Sequence, residues 1–170
     1  MNIFAIEGSE DYVDWRESAR SQDNLRVNKM ILESCQMLCT ALNILADEQI
    51  APYKSTHANH PSTRWARESA ANWIALAEHC EELLIEFERR MKKRHGCEAV
   101  FESCVLIYDN RIFPAQEETR LPLCMPDDFK GPSVVESYRR FYASKPNIRY
   151  PSNKIPDWFL KYRTIPFVRC

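Results

Sequence analysis

Within "DNLRVNKMILESCQML", residues 23 to 38, Arg26, Lys29 and Glu33 recur at spacings of three and four. Those spacings put all three on one face of a helix, and Gln36, Thr40 and Asn43 continue the row. In a cleft, two cations and a carboxylate in line would hold a phosphate or a base and stabilise a sugar cation. On a wet surface the same residues would amount to an i,i+4 pair of Lys29 with Glu33, worth about 0.3 kcal/mol. A second group sits in "THANHP". Pro61 suits the first position of a helix, whose free backbone N–H groups and positive dipole end form a seat for a phosphate. His57, Asn59 and His60 would stand at its mouth, with Arg64 and Arg67 in the first two turns. Asn59 or His60 also suits the plainer task of capping that helix.

Other chemistries find little equipment. The seven cysteines are scattered and odd in number. Cys35 and Cys39 share a helical face and His79 adjoins Cys80, but no Cys-x-x-Cys or His-x-x-x-His pair exists. No metal and no cofactor are expected, and the thiols read as reduced core filler in a cytosolic protein. Gly-rich phosphate loops, Gly-x-Ser-x-Gly elbows and Cys-protease signatures are absent. No signal peptide opens the sequence, and no apolar run approaches the roughly 18 residues of a membrane span, so a soluble chain is expected.

The elements that must position these residues are helical. At 170 residues the chain can bury a core as one domain, and it has only three glycines and no repeats. "MNIFAIEG" reads as a first strand or an extended lead-in, and "SEDYVDWRESARS" as a short helix with Ser9 as its cap. Asp23 to Asp47 is the longest strongly periodic segment, roughly 37 Å of helix, and forms the centre of the domain. Its apolar rows are Leu25, Leu32, Cys35, Cys39 and Leu42, beside Val27, Ile31, Leu38 and Leu45. One helix is predicted from Pro61 to about His95 through Trp65, Trp73, Leu76, Cys80, Leu83, Phe87 and Met91, with five cations in its last turns and Gly96 closing it. A helix over "CEAVFESCVLIYD", a proline-punctuated loop from Asn110 to Pro132, a helix around "SVVESYRRFYASK" and a short turn at "PDWFLKY" complete an all-α fold.

Charge divides the chain at residue 130. From there on, nine Lys or Arg face only Glu136 and Asp157, so a tail of +7 follows a body, residues 1–129, of −8. The tail also carries eight of the 19 aromatics, namely Tyr138, Phe141, Tyr142, Tyr150, Trp158, Phe159, Tyr162 and Phe167. Cations interleaved with aromatics suit a nucleic acid. They suit equally a tail whose rings pin it to the body while its cations stay solvated.

Asp23, Arg26, Lys29 and Glu33 followed by Asn59-His60-Pro61 and Trp65 resemble a known group. With "KMILESCQMLCTAL", "PYKSTHANHPSTRWARES", "MPDDFK" and "VVESYRRFYASK", the pattern is similar to a phage-encoded branch of the pyrimidine-dimer DNA glycosylases, the endonuclease V type. The resemblance runs from Met1 to about Lys145. It implies a compact helical domain that binds DNA, or a nucleotide, and acts on the glycosidic bond of a damaged pyrimidine. The N-terminal amine would attack the sugar, with a helix carboxylate stabilising the sugar cation and assisting elimination. An α-amine titrates near pH ~8 and is partly neutral in the cell. Here Glu33 would be that carboxylate, Arg26 and Lys29 its phosphate or base contacts, and His57, Asn59, His60, Arg64, Trp65 and Arg67 further contacts to nucleic acid. Characterised members lose the initiator Met to bare a small residue, whereas Asn2 disfavours that trimming and leaves the amine on Met1. The other expectation is a non-catalytic phage protein that binds a nucleotide or nucleic acid against a host defence.

Overall fold

The computed structural model describes residues 1–151 and 154–163; the end of the basic tail, with Phe167 and Cys170, lies outside the described residues. Among the described residues the protein is all-α, a single domain of seven α-helices and two 3-10 turns. The helices are α1 (Trp15–Arg20), α2 (Asn24–Leu45), α3 (Pro61–Glu68), α4 (Ala70–Met91), α5 (Glu98–Ile107), α6 (Val134–Ala143) and α7 (Asp157–Tyr162). None is long and apolar enough to cross a membrane.

The centre is α2, as its periodicity predicts, packed against α3, α4 and α5. Asp23 caps it, accepting a hydrogen bond from the Leu25 N–H. The buried face is Val27, Ile31, Cys35, Leu38, Cys39 and Leu42. Leu25 and Leu32, assigned by periodicity to that face, instead stand about two-fifths exposed, because the apolar stripe turns past them toward α4.

The lead-in is neither strand nor surface. Ile3 to Ile6 run extended through the core, their backbone held by the Ser18 hydroxyl, which accepts from the Ile6 and Glu7 N–H groups at 3.0 and 2.9 Å. An isolated bridge from Gly8 to Val13 then turns the chain, and α1 starts at Trp15 under Asp14, five residues later than a Ser9 cap would begin it. Gly8 is required there: at φ +130 a Cβ would run into the Tyr12 carbonyl.

The single helix expected from Pro61 to His95 is two. Ser69 is extended, and its hydroxyl caps α4 by accepting from the Asn72 N–H. The N–H groups freed by the break go to the Ala115 and Gln116 carbonyls of the long loop, while the Asn72 amide bridges the Trp65 carbonyl and Thr119. Periodicity survives because both helices bury the same face. At its other end α4 stops at Met91 with Lys92 in the left-handed conformation, so Gly96 is not its cap. The cation cluster there is largely paired: Arg89 and Arg90 with Glu86, Arg94 with Glu98.

The tail lies on the body through its rings. Tyr138, Tyr142 and Phe159 are fully buried, and Tyr142 and Tyr138 meet Phe4 of the lead-in edge-on. Its cations are used on the way. Arg139 binds Glu7 at 2.9 Å and the Ile6 carbonyl, Lys154 binds Glu86 at 3.1 Å, and Arg163 donates to the Ala143 and Lys145 carbonyls at 2.6 and 2.7 Å. Of the two readings of the tail, the described residues follow the pinning one, although the cations are paired more than solvated.

Candidate functional site

The first three turns of α2, the lead-in and the turn after α6 enclose a cleft of about 320 Å³, lined among others by Met1, Arg26, Lys29, Glu33 and Lys145. The row read from the sequence therefore does meet a concavity, but only along its first half. There the Met1 α-amine lies 3.8 Å from Glu33 Oε2, the same oxygen that accepts the Asn2 N–H at 3.0 Å. Met1 reaches this place because its side chain is inserted in the core, 3% exposed, with the Thr63 hydroxyl donating to its sulfur. Lys29 is exposed at the rim.

Arg26 is not a free cation. Its guanidinium is buried, 3.4 Å from Asp23, stacked on Tyr142, and donates to the Pro146 carbonyl at 3.1 Å. Asp23 is itself a fully buried hub, accepting from the Tyr142 hydroxyl at 2.7 Å and the Arg149 N–H at 3.1 Å. Arg26 is thus part of the cleft wall, held there by the buried Asp23, and the far half of the row builds something else. Thr40 exchanges hydrogen bonds with the Thr56 backbone, and Asn43 holds Tyr53 and Ala51. Gln36, Thr40 and Asn43 do not line the cleft; Thr40 and Asn43 anchor the loop that leads to His57 and His60.

His60 is the cap of α3, its Nδ1 accepting from the Ser62 N–H at 3.2 Å, so one of the free donors of the expected phosphate seat is already used. Its pKa is lowered, chiefly by burial, then by the Met1 ammonium and His57. His60 itself is not among the residues that line the cleft. His57 occupies a left-handed turn with its Nδ1 2.8 Å from the Thr56 hydroxyl. Arg67 is bent back onto the Ala58 carbonyl, and burial lowers its pKa. Trp65 is 1% exposed, with its ring N–H donated to the Thr119 carbonyl at 2.9 Å. It is core, not a surface for stacking a base. Asn59 and Arg64 remain outward-facing, flanking a shallow recess of about 210 Å³ with Arg120.

Comparison with protein-family models, curated proteins and solved structures finds no match for this chain.

The sequence reading missed Lys145. It lines the cleft, with its ammonium 3.6 Å from the centre of the Phe141 ring, and its pKa is lowered by burial and by Arg26, with Glu33 pulling the other way. The signal available was only a lysine closing an amphipathic helix, which says nothing of which cleft it enters. A larger recess, about 450 Å³, lies between residues 10–13 and 118–121, but Glu10, Asp11 and Glu118 give it an acidic wall unsuited to a polyanion.

Proposed function

We propose that this chain is a phage nucleic-acid-acting enzyme of the DNA glycosylase and abasic-site lyase type, directed at a damaged or modified pyrimidine. The observation that carries the reading is the Met1 α-amine beside the Glu33 carboxylate in a cation-lined cleft. A neutral amine there would attack C1′ of the nucleotide. The bond from C1′ to the base breaks, its electron pair leaving with the base, which takes up a proton. Loss of a proton from nitrogen and opening of the sugar ring give an imine; Glu33 then accepts a C2′ proton and the 3′ phosphate departs by elimination. The carboxylate also suits the cationic sugar that precedes the imine.

A second reading is a non-catalytic protein that binds a nucleotide or nucleic acid and counters a host defence. It is favoured by the bond from the Asn2 N–H to the same Glu33 oxygen, since a carboxylate engaged twice by the chain's own start serves as a tether.

Borohydride trapping on ultraviolet-irradiated and abasic-site duplexes, read by intact mass, separates the two. The enzyme reading expects an adduct that Glu33→Gln lowers by about 100-fold or more while affinity stays within about threefold. Salt-sensitive binding with no adduct would favour the second reading.

A further inference from the structure

Lys29 and Lys145 stand out in the cleft by what they lack. Among the described residues neither is paired with a carboxylate, whereas Arg26 is spent on Asp23 and Pro146 and the Met1 amine on Glu33. Two cations are left over in about 320 Å³, near the lower end of the ~300–1,000 Å³ typical of ligand clefts. Lys145 is the more constrained of the two. It is half-buried, with its ammonium over the Phe141 ring, and the turn that carries it is held from both sides. From within, Arg26 grips the Pro146 carbonyl; from without, Arg163 of the tail grips the carbonyl of Lys145 itself and that of Ala143. Arg163 is in turn stacked on the buried Phe159. A partly desolvated ammonium with no carboxylate partner is stabilised by an anion brought beside it.

We infer that Lys145 binds a phosphodiester of the nucleic-acid ligand and that Arg163, outside the cleft, is the positioning residue that sets where Lys145 stands. The identity of the anion rests on the function proposed above. The unpaired charge and the clasp around it do not. Arg163 thereby governs the cleft through one carbonyl clasp, with no need to touch the ligand itself.

The test is fluorescence anisotropy with an abasic-site duplex from 50 to 200 mM NaCl, alongside borohydride trapping at saturating duplex. Lys145→Ala is expected to weaken binding about tenfold and to lower the slope of log K against log salt by about one, with Lys145→Arg restoring most of both. Arg163→Ala should move both quantities the same way, about threefold in affinity, and Arg163→Lys should recover part of the loss. An unchanged slope in Lys145→Ala overturns the phosphate role, and wild-type binding by Arg163→Ala overturns the positioning role. Loss of trapping in both Lys145 variants, with binding intact, would instead make Lys145 the attacking amine and overturn the inference. The failures are distinguishable. A Lys145-dependent slope without any wild-type adduct removes the enzyme reading alone, and an adduct with a Lys145-independent slope removes this one alone.

Discussion

The polar row of α2 and the basic aromatic tail both look, as sequence, like surfaces for nucleic acid, yet they end in different states. The row keeps Lys29 unpaired at a cleft rim, beside Glu33 and the Met1 amine. The tail is richer in cations but uses Arg139, Lys154 and Arg163 on Glu7, Glu86 and backbone carbonyls, and buries most of its described rings. The difference is one of neighbours. The tail returns past acids of α4 and the lead-in, and Glu86 and Glu7 take up Lys154 and Arg139. Local charge density therefore says less about a ligand than a few cations left without partners.

The two regions meet at Asp23, and the sharpest way to break the comparison is there. Asp23→Ala removes a fully buried carboxylate from Arg26, Tyr142, Arg149 and the start of α2, and is expected to cost about 3–5 kcal/mol in urea unfolding. A loss near 1 kcal/mol, that of an N-cap alone, would mean that row and tail are joined only weakly. Next comes acid. His79 is fully buried, bonded to the Trp15 carbonyl and to Gln22, beside the corner where Tyr150 of the tail ties to the Ser21 carbonyl. Burial lowers its pKa from 6.5 to about 4. The unfolded chain thus takes up this proton first, and stability is lost as pH falls from about 6.5 to about 4, by about 3 kcal/mol from this residue. Unfolding at pH 7 and 4.5 measures it, and His79→Gln should flatten the difference. The smallest effect is expected on the tail's outer face, where Arg149→Ala and Lys161→Ala, both exposed, should change duplex affinity less than about twofold. A tenfold loss would restore the tail as a nucleic-acid surface.

The all-α class and the reach of α2 were legible because they are local: the apolar period that defines them repeats every few residues. The break at Ser69 was not, since what stabilises it is the carbonyls of Ala115 and Gln116, more than 40 residues away. Trp65 illustrates the same limit. Its place in the motif suggested a contact to nucleic acid, but its ring N–H is satisfied by Thr119 across the fold. Arg26 and Lys29, three residues apart on one row, separate into a wall and a rim only once Asp23 and Pro146 are in place. Lys145 enters the cleft through long-range contacts alone, and sequence offered no route to it.

The sulfur in the core has a practical consequence. Cys35, Cys39, Cys80, Cys97 and Cys104 are all buried, with Cys39 and Cys104 joining α2 to α5 at 3.3 Å between sulfurs, while Cys124 is partly exposed. The chain therefore carries its own clock for opening. Among the described residues, Cys124 should react with a soluble disulfide reagent promptly, and the five in the core only as fast as the helices part. The lag between the two phases would time the breathing of the central helix without any added label.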